Sequence, residues 1–174
     1  MTSTVDRILE AAEARVRQAG YHGFSFRELA ADVGIKSASV HHHFPTKEAL
    51  IAHLTAHYRG KFKEELASLP VGRARVAAYR AMFREQLELG FGMCLAGMLG
   101  AESEELPDSV ADETRRFFDM LVADLTDTLE NDSGEPRRAA IAIIAQLEGA
   151  MLLARASGSI KHFDDATERL EKLI

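Results

Sequence analysis

The residues best equipped for chemistry are histidines and one cysteine. Three histidines stand in a row at His41, His42 and His43, two more are spaced i, i+4 at His53 and His57, and Cys94 is the sole thiol. Imidazole binds metals, moves protons and contacts nucleic acid, so each pattern has several uses. Consecutive residues of a helix point about 100° apart, so His41, His42 and His43 cannot converge on one ion while their helix is intact. His53 and His57 share a helix face and could chelate. No third ligand is evident near them, however, and no glutamate lies between them as a metalloprotease would require. Neither a resident metal nor another cofactor is expected. An enzyme needs a convergent acid, base or nucleophile. Cys94 has no histidine near it in sequence, His162 being the only one after His57, so the chain is not expected to be an enzyme. Cys94 reads either as a core or pocket-lining residue or, beside a cation or helix N-terminus that favours its thiolate, as a redox or electrophile sensor.

These residues need a scaffold, and the totals bound it. The chain has 174 residues, 47% hydrophobic and 28% charged, enough for one domain or two small ones with a real core. One cysteine allows no intrachain disulfide, which fits a reducing compartment and a cytoplasmic location. The N-terminal stretch MTSTVDRILEAAEARVRQAG has early acids and no apolar run, unlike a signal peptide. The apolar run from Ala139 to Ala156 contains Gln146 and Glu148 near its centre, which argues against a membrane span. The net charge of −6 conceals an asymmetry: residues 1–63 carry nine Lys/Arg against six Asp/Glu, a formal +3, and the remainder carries 12 against 21, a formal −9. Six of the seven histidines also fall in the first part. A basic head on an acidic body follows.

Periodicity predicts an all-α protein of about nine helices, with no run alternating long enough for a strand. The first helix starts near Thr4, capped by Ser3 or Thr4, with Val5, Ile8, Leu9, Ala12, Val16 and Ala19 on one stripe and Gly20 as its stop. SFRE from Ser25 is a capping box opening a second helix, which Gly34 ends. A third fits Ser37 to Phe44, closed by Pro45. A fourth helix, 46–69, starts with Thr46 as N-cap and connects a head at 1–50 to a body at 51–174. The body is predicted to hold helices at Arg73–Leu89, Met93–Glu105, Asp108–Glu130, Arg137–Ala156 and His162–Ile174, with a mobile turn at Asn131–Pro136.

Two short helices joined by a tight glycine turn make a helix-turn-helix. Ala30 is small where the helices cross, Gly34 takes a backbone conformation that a Cβ disfavours, and Val40 plugs the junction. The outward edge of the second helix of the pair, with Ser37, Ala38, Ser39, His41 and His42, is short and polar. Such an edge can enter a major groove about 12 Å wide. The wider stretch GYHGFSFRELAADVGIKSASVHHHFPTKEALI resembles the DNA-binding head of the TetR/AcrR family of bacterial regulators. The Gly20–Gly23 spacing, the Ser25 cap before Arg27, LAADVGI and HHFPTKEAL carry the likeness, over residues 4 to about 58. Family members often have Tyr where His41 stands, and Ser-Lys-Gly in place of Lys36, Ser37 and Ala38.

The resemblance implies a sequence-specific transcriptional regulator, a repressor released from double-stranded operator DNA by a small, mainly apolar effector. It implies that Arg27 pairs with a phosphate, that Ser37, Ala38 and Ser39 face base edges or backbone at the start of the recognition helix, and that Lys36 belongs to the same DNA-contacting set. His41 and His42 would reach bases or phosphates, and Lys47 a phosphate. Phe83, Leu87, Met93, Cys94, Met98, Phe117, Met120 and Gln146 are the candidate lining of an effector cavity, methionines suiting adaptable pockets; ordinary core is the competing reading. Helix 137–156 is apolar nearly all round, and helix 162–174 carries Phe163, Ala166, Leu170, Leu173 and Ile174 on one face. Two such helices suggest a four-helix homodimer interface. A helical protein–protein interaction module and a Cys94-based sensor are the alternatives.

Overall fold

The structure is a computed structural model describing residues 3–90, 92–130 and 133–173. Among these residues it is all-α. The helices are α1 (Thr4–Ala19), α2 (Phe26–Val33), α3 (Ser37–His43), α4 (Lys47–Ala67), α5 (Arg73–Glu88), α6 (Leu95–Ala101), α7 (Asp108–Leu129), α8 (Pro136–Ser157) and α9 (Lys161–Thr167), followed by a 3-10 turn at Leu170–Leu173. Two compact units form, neither continuous in sequence: Met1–Lys61 with Leu95–Phe117, and Phe62–Cys94 with Phe118–Ile174.

The first unit is built around α1. Ser3 caps it, accepting from the Asp6 amide at 3.1 Å, while the Asp6 carboxylate accepts from the Ser3 amide at 3.0 Å. Ile8, Leu9, Ala12 and Val16 are buried; Val5 is half-buried and Ala19 exposed, so the buried stripe is narrower than its periodicity suggests. Burying one aliphatic side chain of this kind is worth about 1.5–3 kcal/mol. The Arg15 guanidinium forks onto Asp32 at 2.7 and 2.8 Å, and Arg7 donates to the carbonyl of Val33, which ties α1 to α2 at two levels. From α4 come Leu50, Ile51, Leu54 and Tyr58; from α6, Leu95, Ala96 and Leu99; from α7, Val110 and Phe117. The Tyr58 and Phe117 rings lie 5.2 Å apart. Ser109 Oγ donates to Glu48 at 2.6 Å, and Arg59 pairs with Glu113 at 3.0 Å.

In the second unit, α5, α7 and α8 supply Val76, Tyr79, Phe83, Leu121, Leu125, Leu129, Ile143, Leu147 and Met151 to a shared core. Arg75 is its polar anchor. Its guanidinium donates to both Asp124 oxygens, at 2.8 and 2.6 Å, and to the carbonyls of Leu66, Leu69 and Pro70 at 2.8, 3.2 and 3.1 Å. The Tyr79 hydroxyl adds a 2.6 Å bond to Asp124. Asp164 on α9 accepts from Arg80 and Arg84 of α5. α8 is long and apolar enough to cross a membrane by length and composition, but its buried side packs on α5 and α9.

Two helices end sooner than their sequences suggest. The helix expected over Met93–Glu105 runs only Leu95–Ala101, because the next residues tighten into i→i+3 turns, Glu102 amide to Leu99 carbonyl and Glu105 amide to Glu102 carbonyl. The expected 162–174 helix stops as α9 at Thr167 and continues as the 3-10 turn. There the Thr167 hydroxyl bonds the Phe163 carbonyl at 2.7 Å and accepts from Arg80 at 2.8 Å. Such side-chain bonds to the backbone compete with regular winding. The expected contribution of Ile174, and Asn131 and Asp132 of the expected turn, lie outside the described residues.

Candidate nucleic-acid interface

The site grows from the cap of α2. The Ser25 amide donates to Glu28 at 2.8 Å and the Glu28 amide to Ser25 Oγ at 3.3 Å, the reciprocal pair anticipated from SFRE. The Ser25 hydroxyl, donating to the Glu28 carboxylate at 2.7 Å, and then the Ser25 amide draw that carboxyl below the usual carboxylate range. Phe26, Leu29, Ala30 and Val33 face inward, leaving Arg27 exposed at the opening of α2. Gly34 closes the helix with φ 73° and ψ 36°, the left-handed region. Its amide bonds the Ala31 carbonyl at 3.2 Å, and the Ile35 amide bonds the Ala30 carbonyl at 2.9 Å. A tight reversal results, and α3 begins two residues later.

Val40 is fully buried and pins α3 against α2. The rest of α3 faces outward: Lys36, Ala38, His41, His42 and His43 are exposed, Ser37 and Ser39 half-buried. The His41 imidazole turns away from the other two. The His41 ring packs edge-on against Phe26, centroids 4.8 Å apart, with Nδ1 3.4 Å from the Pro45 carbonyl. His42 and His43 rings meet at 5.3 Å. Among the described residues no three His, Cys, Asp or Glu side chains are grouped to hold a metal ion. Phe44 is buried, beside His53 at 5.6 Å. Thr46 caps α4 by accepting from the Ala49 amide at 3.0 Å.

Lys47 takes an unforeseen position. Its ammonium turns inward onto the Phe24 carbonyl, 4.1 Å from the Phe24 ring centroid and 5.2 Å from that of Tyr21. Burial there pushes the ammonium below the ordinary lysine range, with Glu102 and Glu28 opposing. Glu102, just beyond α6, accepts from the Tyr21 amide at 2.7 Å. Its carboxylate lies where a Cβ on Gly20 would stand, 2.0 Å from that point. Gly20, with φ 73° and ψ −171°, is required for its backbone, whereas a Cβ there would displace only the flexible end of Glu102. Gly20 is a helix stop in the local sequence, and the Tyr21 amide beside it finds its partner 81 residues away.

The short paired helices with an exposed polar edge match a known head. A family model described as bacterial regulatory proteins, tetR family, matches residues 8–54. A TetR-family transcriptional regulator from Agrobacterium tumefaciens superposes with TM-score 0.93 at 30% identity, over 98% of this chain and 97% of that one. The chain belongs to the TetR family of transcriptional regulators. A TetR regulator from Legionella pneumophila is 28% identical with TM-score 0.91, covering 100% and 98% of the two chains. Reduced NemR from E. coli is 25% identical with TM-score 0.85, covering 99% and 97%. No curated protein matches in sequence.

Of the candidate effector-lining residues in this TetR-family chain, Met98 and Phe117 belong to the first unit, and Phe83, Leu87, Met93, Cys94, Met120 and Gln146 to the second. Phe83 meets Phe62, centroids 6.3 Å apart. The Gln146 amide donates to the Ala166 carbonyl and so joins α8 to α9. Cys94 is 3% exposed, which favours a lining or core role over a sensing one.

Proposed function

We propose that this TetR-family regulator is a cytoplasmic repressor that grips a near-palindromic operator as a homodimer and is released by a small, mainly apolar effector. One observation carries the DNA-binding part: α3 presents an exposed polar edge while Val40 and the Gly34 turn hold its other side rigid. Arg27 and Lys36 would pair with phosphates. Ser37, Ala38, Ser39, His41 and His42 would meet base edges or backbone, since short side chains let a helix sit deep in the major groove. Lys47 would bind a phosphate after leaving its inward seat.

The homodimer reading rests on α8. Ile141, Ala145, Gly149, Leu152, Leu153 and Ala156 are exposed along it, with Leu152 and Leu153 at 57% and 54%. A helix with one apolar face buried in its own chain and another uncovered suits a symmetric four-helix contact, in which the same surface meets itself. Two heads so related would read half-sites about 34–36 Å apart or a multiple of that. The effector part rests on Phe83, Met93 and Met120 of the second unit, residue types suited to an adaptable pocket. A ligand that prefers the DNA-incompetent state by a few kcal/mol would release the operator.

The test is selection of duplexes from a random pool by the full chain, followed by fluorescence anisotropy with the recovered sequence and with His41→Ala and Arg27→Ala variants. Recovery of a near-palindrome, with binding lost in the variants, is the expected result. A pool that yields no consensus would refute the reading. Screening apolar compounds against the formed complex addresses release, and a complex that no such compound loosens counts against an effector-released repressor.

A further inference from the structure

His41 differs from the two histidines after it in having its ring pinned by the head. The ring packs edge-on against Phe26 of α2, centroids 4.8 Å apart, and Nδ1 lies 3.4 Å from the carbonyl of Pro45, just past the end of α3. Phe26 is itself buried, so the surface that carries the ring is part of the packed head. His42 and His43 rest on each other at 5.3 Å, and among the described residues no hydrogen bond holds either ring. A carbonyl oxygen can only accept. An unprotonated Nδ1 facing it would set lone pair against lone pair, so the neutral ring carries its proton on Nδ1 and donates to Pro45. A neutral imidazole has one such proton, which leaves Nε2 as a bare acceptor. Nε2 is the nitrogen farther from the backbone and points away from that carbonyl. Among the described residues it has no hydrogen-bond partner, and His41 is exposed on the reading edge of α3.

We propose that His41 is a specificity-determining residue: its Nε2 accepts a hydrogen bond from the exocyclic amine of an adenine or cytosine in the major groove. The idea rests on the DNA-binding reading above and names the chemistry that one of its residues recognises. In that groove adenine N6 and cytosine N4 are donors, whereas guanine N7 and O6 and thymine O4 are acceptors. Nε2 thus attracts an amine and meets a guanine or thymine lone pair to lone pair. On the strand it faces, this one acceptor separates adenine and cytosine from guanine and thymine. The choice within each class falls to other contacts. Phosphate oxygens in a DNA backbone only accept as well, so the neutral ring belongs on a base edge and carries sequence information. The contacts with Phe26 and Pro45 fix the ring before DNA arrives, which lowers the cost of ordering it in the complex.

The experiment starts from duplexes that wild type and His41→Ala each select from a random pool. The base pair whose preference disappears in His41→Ala marks the contact. Both proteins are then titrated by fluorescence anisotropy onto the wild-type duplex and onto one that lacks the amine of that pair in one half-site, with purine in place of adenine or pyrimidinone in place of cytosine. Deleting the amine should weaken wild type about fivefold more than His41→Ala, the size of one neutral hydrogen bond. Equal losses in the two proteins, or the same consensus selected by both, overturn the proposal. A second measurement needs no DNA: long-range ¹H–¹⁵N correlation spectra of ¹⁵N-histidine-labelled protein at about pH 8.5, well above the ordinary imidazole value of about 6.5. With the His41 signals identified by their loss in His41→Ala, Nδ1 should carry the proton and Nε2 none. A proton on Nε2 overturns the proposal even if the duplex is bound well. A wild-type chain that selects no duplex sinks the DNA-binding reading and the base contact with it, and an Nδ1 proton in that chain shows that the ring geometry was not at fault.

Discussion

Asp124 is the single carboxylate on which the polar anchor of the second unit turns, and its removal makes a sharp test. Asp124→Ala deletes the acceptor of two bonds from Arg75, at 2.8 and 2.6 Å, and one from Tyr79, at 2.6 Å. The Arg75 and Asp124 side chains are 10% and 20% exposed, so water cannot replace the lost partner freely. Burial and Asp124 both raise the Tyr79 hydroxyl above the ordinary tyrosine range, so it stays neutral and still needs an acceptor. Breaking a buried pair from one side costs about 3–5 kcal/mol. Arg75 keeps three carbonyl acceptors at the end of α4, which places the expected loss near the lower end, about 3 kcal/mol. For a domain of this size that lowers Tm by about 9 °C. Urea and thermal denaturation followed by circular dichroism measure both. Tyr79→Phe serves as control, removing one hydrogen bond for about 1 kcal/mol. An Asp124→Ala loss under about 1 kcal/mol would refute the claim that this network is a dry anchor, and would mean that it behaves as a surface pair.

Val40→Ala should destabilise the head by about 2 kcal/mol, because the side chain is fully buried and its loss leaves a cavity at the α2–α3 junction; chemical denaturation reads this directly. Gly34→Ala should cost about 1–2 kcal/mol through backbone strain alone, since its Cβ would meet no atom within 4 Å; denaturation of that variant reads it, and a larger loss would mean that something else crowds the turn. Asp164 has its carboxyl held below the ordinary range, first by the hydrogen bond from Arg84. Its contribution is thus present above the unfolded aspartate value of about 4 and lost as pH falls through the lower folded value, so the Tm advantage of wild type over Asp164→Asn should shrink between pH 5 and about pH 2. Leu152→Glu, on the uncovered side of α8, should yield a folded monomer by analytical ultracentrifugation if that face is where two copies meet.

The head was legible because its determinants are local. The Ser25–Glu28 box, the Gly34 reversal and the stop at Pro45 each act within four residues, so spacing alone located α2 and α3. The exposed edge of α3 follows from period 3.6 with Val40 as the inward residue. What sequence could not display depends on partners far along the chain. The family likeness implies a phosphate for Lys47, while its inward seat is made by the Phe24 carbonyl and the Phe24 and Tyr21 rings, more than twenty residues before it. α6 and the start of α7 join the head's compact unit through Leu95, Leu99, Val110 and Phe117, a grouping that chain order conceals. The early end of α9 likewise depends on Arg80 reaching Thr167 from 87 residues away.

The arginines of the first unit have a consequence for how the regulator meets its operator in the cell. Arg7 is held by the Val33 carbonyl, Arg15 by Asp32, Arg17 by Glu13 and Arg59 by Glu113. The excess of basic residues there thus overstates what is offered to a polyanion: at the reading surface Arg27 and Lys36 are the exposed cations. With Arg27, Lys36 and a released Lys47 on phosphates, a pair of heads would neutralise about six and lose about five decades of affinity per decade of ionic strength. The arginines already committed inside the unit add nothing to that slope, so the salt dependence of binding would count only the few cations at the reading edge.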